Sequence, residues 1–303
     1  MNETESSGLI PILQTLAQPV WEYAHANLVD FGARLKEVAI ILGAGLLIER
    51  LLPAERKQPL RNLIFNLVYA VIFIGLVLVM MPLVSKLTQP ITGSYGGLIT
   101  LPAWPGLLGS LAQAMLFFLI FDFFYYWFHR AQHQLGWLWE QHKLHHAEES
   151  LNVTTGIRHH WLEEVFRAFV ILLPLSILVD LEPGGITTIW AVLFLWGYFV
   201  HLNLKLPLGP LTPVLAGPQL HRLHHSIKPE HKDCNFAAFF PVWDVVFGTY
   251  VGPKPGEYPA TGLHSGERIT TMRAALFSPF VAWYGALRKR AQERRARANP
   301  SGQ

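Results

Sequence analysis

Three short histidine clusters stand out in this chain of 303 residues. They read HRAQH at 129–133, HKLHH at 142–146 and HRLHH at 221–225, and they hold eight of the 14 histidines. Neutral imidazole is the commonest metal ligand in proteins, and helix residues three or four apart share one face. Each cluster can therefore direct two or three ring nitrogens at one point. Eight nitrogens are too many for one tetrahedral zinc, so they suit two metal ions with positions left open for oxygen or substrate.

The composition indicates a membrane protein that binds no nucleic acid. The chain is 51% hydrophobic and only 15% charged, whereas soluble proteins average about 25% charged residues. The net charge of +3 is small, and no basic groove with interleaved aromatic residues is visible, which argues against a nucleic-acid partner. The single cysteine, Cys234, excludes an internal disulfide and a cysteine-rich zinc or iron–sulfur site.

Long apolar stretches must position the clusters. A membrane span needs about 20 mostly apolar residues, and three stretches meet this length clearly while two are marginal. We interpret 165–180 and 186–206, the last two stretches along the chain, as a helical hairpin that turns at 182–185. The predicted fold is an all-α integral-membrane bundle of about four to five spans, with a cytoplasmic helical cap that carries the histidine boxes. The clear stretches are 63–84, 107–128 and 186–206, and the marginal ones are 35–52 and 165–180.

The distribution of basic residues predicts the topology, because basic residues in short loops favour the cytoplasm. Loop 49–62 carries Arg50, Arg56, Lys57 and Arg61, whereas loop 85–106 carries only Lys86. Loop 49–62 is therefore predicted to lie inside. Counting spans from there places all three clusters on the cytoplasmic face.

Further strings extend the pattern beyond the clusters. After HKLHH comes RHHWLE at 158–163, FVHLN at 199–203 contributes His201, and Asn235-Phe236 is followed by WDVVFGTY at 243–250. With the clusters, these strings resemble the fatty acid hydroxylase/sterol desaturase superfamily of integral-membrane, histidine-box di-iron oxygenases, over about residues 107–250. The chain departs from that pattern at Trp161, where proline is usual, and at Ala147, where serine is common. It also lacks the further histidine that some hydroxylases carry, because the corresponding positions are Gly197 and Lys205.

The resemblance implies a site with two iron ions, cycling between Fe2+ and Fe3+, and O2 as co-substrate. It implies a lipid or sterol-like substrate that enters from the bilayer, and two electrons from outside the chain. Because the chain has no glycine-rich dinucleotide string, haem string or cysteine cluster, a separate donor is expected, such as a ferredoxin or a cytochrome b5-like protein. The implied metal ligands are His129, His133, His142, His145, His146, His201, His221, His224 and His225.

Six other residues are candidates to support these ligands or to join them. Asp122, charged within an apolar run, is expected to orient a ligand imidazole, and Arg158 is expected to pair with Glu163. His160 is expected to support the ligands rather than to be a tenth ligand. Asn235 and Asp244 complete the set, with Asp244 either capping a turn or binding a histidine. The histidines expected at the surface are His25, His159, His231 and His264.

Two other functions compete with the oxygenase. A zinc-dependent membrane hydrolase is disfavoured because no HExxH string occurs. A metal transporter is disfavoured because transport sites usually lie near the bilayer midplane, whereas the clusters lie at span ends. Hydroxylation and desaturation both remain open, with hydroxylation favoured because it requires one hydrogen abstraction. The substrate itself is not predicted.

The chain divides into four predicted segments. An N-terminal polar or interfacial segment covers 1–34, and the first membrane helices cover 35–106. The catalytic domain that carries the resemblance covers 107–250, and a basic cytoplasmic tail covers 251–303.

Overall fold

The computed structural model describes residues 9–92, 97–102, 104–180 and 183–298, and this part of the chain is mostly helical. Residues 1–8 of the predicted N-terminal segment and Glu182 of the predicted hairpin turn lie outside the described residues. Short 3₁₀ helices cover Val153–Ile157, Gly209–Leu211 and Pro229–His231. The longer elements are α1 Leu9–Ile48, α2 Leu60–Thr92, β1 Ile99–Thr100, α3 Gly106–Gln134, α4 Gly136–His146, α5 Trp161–Arg167, α6 Leu173–Leu178, β2 Val179–Asp180, α7 Pro183–Val200, α8 Pro218–His224, α9 Val242–Val246 and α10 Met272–Ala298.

Two of the described helices are long and apolar enough to cross a membrane. They are α2 over Leu60–Ile91 and α3 over Gly106–Gln134, and only 22% and 28% of their apolar windows are buried inside the protein. Such exposed apolar surface is unfavourable in water and is typical of a helix that faces lipid. The clear spans at 63–84 and 107–128 thus coincide with α2 and α3. The described apolar part of α7, Ala191–Val200, is shorter.

The ends of several helices meet on one side of the bundle. Glu49, just after α1, accepts hydrogen bonds from the backbone of Val153 at 2.6 Å and of Asn203 at 2.9 Å. Near the start of α2, Asn66 donates to Glu148 at 2.8 Å. Helix α3 ends just before α4, and α7 ends just before His201. Because α3 and α7 end where α2 begins, every histidine cluster lies at this end of the bundle.

The predicted first arm of the hairpin is a kinked helical segment. Helices α5 and α6 are joined by a π-helical turn at Ala168–Leu172, and Pro174 lies in the first turn of α6. Proline has no backbone N–H to donate, so it fits where one helix ends and the next begins. The arm therefore continues to Leu178 in spite of its proline.

Two short parallel strands modify the all-α prediction. Residues Ile99 and Thr100 of β1 pair with Val179 and Asp180 of β2. A Cβ atom on Gly97 would lie 2.0 Å from the backbone nitrogen of Asp180, so only glycine permits this approach. The pairing joins the loop after α2 to the end of α6, two segments far apart in the sequence.

The largest apolar core lies between α3, the α5–α6 segment and the loop that follows the third cluster. It stacks the rings of Phe118 and Phe239 at 5.2 Å between centroids. This packing fixes α3 against the loop that carries the groups around the histidines. The buried members are Leu101, Phe117, Phe118, Phe121, Phe128, Ile171, Leu175, Val179, Phe239 and Phe240.

Candidate metal centre

The three clusters and His201 converge into two adjacent groups of imidazoles. Within each group, the potential ligand nitrogens all lie within 4.8 Å of one another. The nine histidines implied by the resemblance are thus the nine that the structure brings together in these groups. Group A contains His129, His133, His142, His146 and His224, and group B contains His145, His201, His221 and His225.

Helical spacing divides two of the clusters between the groups. In α4, His142 and His146 are four residues apart and belong to group A, whereas His145 points into group B. In the third cluster, His221 and His225 are four residues apart and belong to group B, whereas His224 belongs to group A. Residues four apart on a helix project closest to one direction, and the residue at the third step projects to its other side. The second cluster therefore gives two histidines to group A and one to group B, and the third cluster gives one to group A and two to group B.

The hydrogen bonds made by Nδ1, the ring nitrogen that points away from each group, determine whether Nε2, the nitrogen that points inward, carries a proton. The Nδ1 atom of His129 lies 2.8 Å from the carbonyl oxygen of Phe236, and Nδ1 of His224 lies 2.7 Å from that of Cys234. A carbonyl oxygen can only accept, so Nδ1 must carry the proton and donate it. In the neutral ring, Nε2 is then a bare lone pair directed into group A. His201 is held in the same way by the carbonyl of Gly197.

These inner nitrogens lie at a spacing that a shared metal ion would impose. The Nε2 atoms of His129 and His142 are 3.1 Å apart, and those of His201 and His221 are 2.9 Å apart. Two imidazole nitrogens bound to one metal at about 2.1 Å lie about 3.0 Å apart at a right angle and about 3.4 Å apart at the tetrahedral angle. The donor set and its spacing therefore fit one metal ion in each group.

A tight loop after the third cluster orients three of the group A imidazoles. Asp233 and Asn235 have φ angles of +56° and +55°, a conformation that Asp and Asn tolerate better than most residues. These turns direct the carbonyls of Cys234 and Phe236 at His224 and His129. The Asp233 carboxylate also lies 3.4 Å from Nδ1 of His133. Asn235, predicted to support the site, acts through its backbone, while its side chain bonds the backbone of Val251.

Two buried carboxylates hold this loop in place. Asp122 accepts hydrogen bonds from the backbone N–H groups of Ala238, Phe239 and Phe240, at 2.6 to 3.1 Å. Asp244 accepts from the backbone of Phe236 and Ala237. Asp122, which was expected to orient a ligand imidazole, accepts from backbone amides and acts on the imidazoles only through this loop. Asp244 fulfils the turn-capping alternative.

Glu163 supports the centre from the side of α5. Its Oε2 lies 3.2 Å from Nδ1 of His142, and its Oε1 lies 3.1 Å from Nδ1 of His159. The ring of His159 stacks on that of His145 at 4.0 Å between centroids. His159 was predicted to be a surface histidine, but it forms part of the wall of the site. The four-residue step from His159 to Glu163 on α5 was the sequence signal for this pair.

Arg158 has a different partner from the one predicted. Its guanidinium lies 2.7 Å from Glu148 and donates to Asn66 and to the backbone of Ile269, whereas Glu163 pairs with Arg167. Glu148 lies two residues after the second cluster, so this buried pair fixes the end of α4. The predicted Arg158–Glu163 pair is wrong, because Glu148 pairs with Arg158 while His142, His159 and Arg167 surround Glu163.

The remaining histidines lie apart from both groups. His160 caps α5, with Nδ1 accepting from the backbone of Leu162, and its Nε2 lies 3.1 Å from the carbonyl of Leu276. It thus joins α5 to α10 and touches no histidine of groups A or B. His231 is buried near Glu257, and His264 is exposed, as expected for the latter. The side chain of His25 lies outside the described residues.

We expect metal retention and folding stability to decline together as the pH falls below about 6.5, the ordinary histidine value. Burial, followed by the neighbouring imidazoles, lowers the pKa of five histidines outside the spans well below that value. The unfolded chain then binds more protons than the folded one, so stability is present above this pH and is lost below it. Metal content after dialysis at a series of pH values tests this, and full retention at pH about 5 would contradict it. The five are His145, His146, His221, His224 and His225.

A cavity of about 810 Å³ opens next to the two groups. His129, His201 and His221 line its inner end, and its walls are mostly apolar side chains of α1, α2, α3 and α7. Its volume lies within the usual range of small-molecule sites, about 300–1,000 Å³. An apolar molecule held in this cavity would contact the imidazole centre at one end.

Comparisons with known proteins agree with this geometry. Residues 114–249 match the family model described as fatty acid hydroxylase. An alkylglycerol monooxygenase of Xenopus tropicalis is 34% identical over 46% of this chain and 30% of its own length. The ornithine lipid hydroxylase OlsE of Rhizobium tropici is 30% identical over 58% of this chain and 53% of its own length. The very-long-chain aldehyde decarbonylase GL1-6 of Oryza sativa subsp. indica is 31% identical over 48% of this chain and 24% of its own length.

The chain thus spans from about a quarter to about half of the length of these relatives. No solved structure matches it significantly. The matched region nevertheless contains all nine converging histidines within one continuous stretch. Residues 114–249 thus carry the match to the fatty acid hydroxylase family, and the relatives support the assignment of this region to the fatty acid hydroxylase superfamily.

Proposed function

We propose that this protein is a membrane-bound di-iron oxygenase that uses O2 and two external electrons to hydroxylate a C–H bond of a lipid or sterol-like substrate. One observation carries the proposal. Nine imidazoles form two groups, with neighbouring Nε2 atoms 2.9 to 3.2 Å apart, at the inner end of an apolar cavity. Two metal ions beside an apolar pocket suit oxygen chemistry on an unactivated alkyl group better than hydrolysis of a polar one.

Iron is the proposed metal. Imidazole nitrogens also suit zinc, copper and nickel, so the ligands by themselves do not choose. The family resemblance and the oxygenase names of the relatives support iron. When bound, the two ions would supply the activation of O2 and the abstraction of hydrogen from carbon. Desaturation at the same site remains the alternative outcome of that abstraction.

The protein's own contribution is orientation and exclusion of water. The carbonyls of Cys234 and Phe236, with the carboxylate of Glu163, hold three Nδ1–H groups so that each Nε2 faces inward. Such outer contacts fix the tautomer of a ligand imidazole and its direction. The apolar cavity holds an alkyl chain with one end beside the histidines and leaves little room for water.

Exposed basic residues at the same end of the bundle support a cytoplasmic site and an external electron donor. Arg50, Arg56, Lys57 and Arg61 are exposed near the start of α2, on the side of the site. Basic residues in such loops favour the cytoplasmic face, and they complement an acidic protein surface. We therefore place the site on the cytoplasmic face, with a ferredoxin or a cytochrome b5-like protein as the donor.

Metal analysis combined with product analysis tests this function. The protein purified in detergent should contain about two iron ions per chain, as expected for two separate ligand groups. With O2 and reduced ferredoxin, an alkylglycerol or an ornithine lipid should gain one oxygen atom by mass spectrometry. Zinc in place of iron together with hydrolysis of a lipid, or metal flux into proteoliposomes without an oxygenated product, would overturn the proposal.

A further inference from the structure

One polar group in the wall of the apolar cavity lacks a partner. Tyr125 and Arg167 both line the cavity. Among the residues that the structure describes, the hydroxyl of Tyr125 makes no hydrogen bond. Arg167 bonds Glu164 and Glu163 through its two terminal nitrogens, and its Nε is buried out of reach of the cavity. A hydroxyl that loses water without gaining a partner costs about 1–3 kcal/mol, so the Tyr125 hydroxyl favours a molecule in the cavity that can accept its hydrogen bond.

Tyr125 and Arg167 belong to the end of the cavity that adjoins the histidines. Tyr125 lies one helical turn before His129 on α3, with ring centroids 5.5 Å apart. Arg167 lies 3.2 Å from Glu163, which in turn contacts His142. A molecule that bonds the Tyr125 hydroxyl would therefore place its neighbouring carbon atoms beside the imidazoles.

The wall of the cavity away from the histidines is mostly apolar along α2. This wall follows α2 from Phe73 to Ser85, a rise of twelve residue steps or about 18 Å of helix, through Leu78 and Met81. At the far end, Arg34 is exposed to 62% and is already paired with Glu37 at 2.9 Å. An alkyl chain suits this length of apolar wall. The reverse orientation would leave the hydroxyl of Tyr125 facing hydrocarbon.

The charges around Arg167 select the kind of polar group. Its guanidinium pairs with Glu163 at 3.2 Å and with Glu164 at 2.9 Å. Two carboxylates already balance its single positive charge, so no positive charge is left for an anion. What remains is the phenolic O–H of Tyr125, which matches a lone pair of an uncharged oxygen.

We propose that the Tyr125 hydroxyl, beside the charge-balanced Arg167, forms a subsite for an uncharged oxygen (an ether, ester, amide or alcohol) of an amphiphilic substrate. That oxygen lies next to the carbon that is oxidised, and the alkyl chain extends along α2 toward Met81. The inference rests on the proposed oxygenase function and narrows its substrate class. It also predicts that oxidation occurs near the polar group and not in the middle of the chain.

Binding to the purified full-length protein without O2 or reductant tests the subsite. The probes are 1-O-hexadecylglycerol and hexadecanoate, each displacing a fluorescent lipid. Tyr125→Phe keeps the ring and removes only the hydroxyl, so it should weaken the ether probe about fivefold to tenfold, the value of one hydrogen bond. Hexadecanoate should be unaffected. The matched control is Tyr284→Phe, at a tyrosine of α10 that is 68% exposed, and it should change neither probe.

Unchanged affinity for the ether in Tyr125→Phe, or an equal loss for both probes, would overturn the subsite. A second variant tests the orientation, since Met81→Trp should weaken a hexadecyl probe more than a decyl probe of the same head group. Equal effects on the two chain lengths would overturn the placement of the chain along α2. These binding results do not depend on turnover. A protein that binds the ether as expected but yields no oxygenated product would refute the oxygenase function and leave the subsite supported.

Discussion

His145→Ala is expected to lose one metal ion per chain and essentially all oxygenation while the protein still inserts into membranes. His145 belongs to group B, which has only four imidazoles, and its Nε2 lies 3.1 Å from that of His201. Three remaining imidazoles hold a metal more weakly, and the chemistry requires both ions. We expect turnover to fall about a thousandfold or more, because a catalytic metal supplies several kcal/mol and each 1.4 kcal/mol is tenfold. Iron content and product formation on the purified variant measure both effects.

The matched control is His264→Ala, which removes an exposed imidazole outside both groups. It should keep the iron content and the turnover of the parent protein. Full iron content with full activity in His145→Ala would refute its assignment as a ligand. Loss of both metal ions would instead mean that groups A and B do not load independently.

Glu163→Gln is expected to weaken metal binding about 10- to 100-fold, the usual effect of losing a carboxylate that orients a ligand imidazole. Glu163 accepts from Nδ1 of both His142 and His159, and it is almost completely buried. An amide offers one accepting oxygen instead of two, so one imidazole loses its acceptor. If His142 takes the other tautomer, its Nε2 carries a proton and cannot bind the metal in group A. Competition with a chelator at fixed pH measures the change in affinity.

Glu164→Gln is the control for this charge change. Glu164 is the next residue on α5 and pairs with Arg167 at 2.9 Å, but it contacts no histidine of groups A or B. The same loss of metal affinity in both variants would show that net charge, and not the contact with His142, is responsible. An unchanged affinity in Glu163→Gln would refute the orienting role.

Features that depend on residues close to one another in the sequence were predicted correctly. The spacing within HRAQH, HKLHH and HRLHH, and the apolar runs of α2 and α3, depend on local helix geometry, which a sequence displays directly. The bonding partners of the other candidate residues could not be predicted from spacing within one segment. Arg158 and Glu163 are five residues apart, yet their partners are Glu148 for one and His142 and His159 for the other. Asp122 supports the site through backbone amides more than 110 residues away.

The sequence by itself determined which residue types supply the site and which stretches are apolar enough to cross a membrane, because both are properties of short segments. Only the tertiary structure decided how the nine imidazoles divide into groups of five and four, since His145 and His201 are 56 residues apart and meet through helix packing. It also decided that Tyr125 and His159 face the cavity. The physical reason is the same throughout. A helical period places a side chain on a face, but the packing of α3, α4, α7 and α8 determines what that face meets.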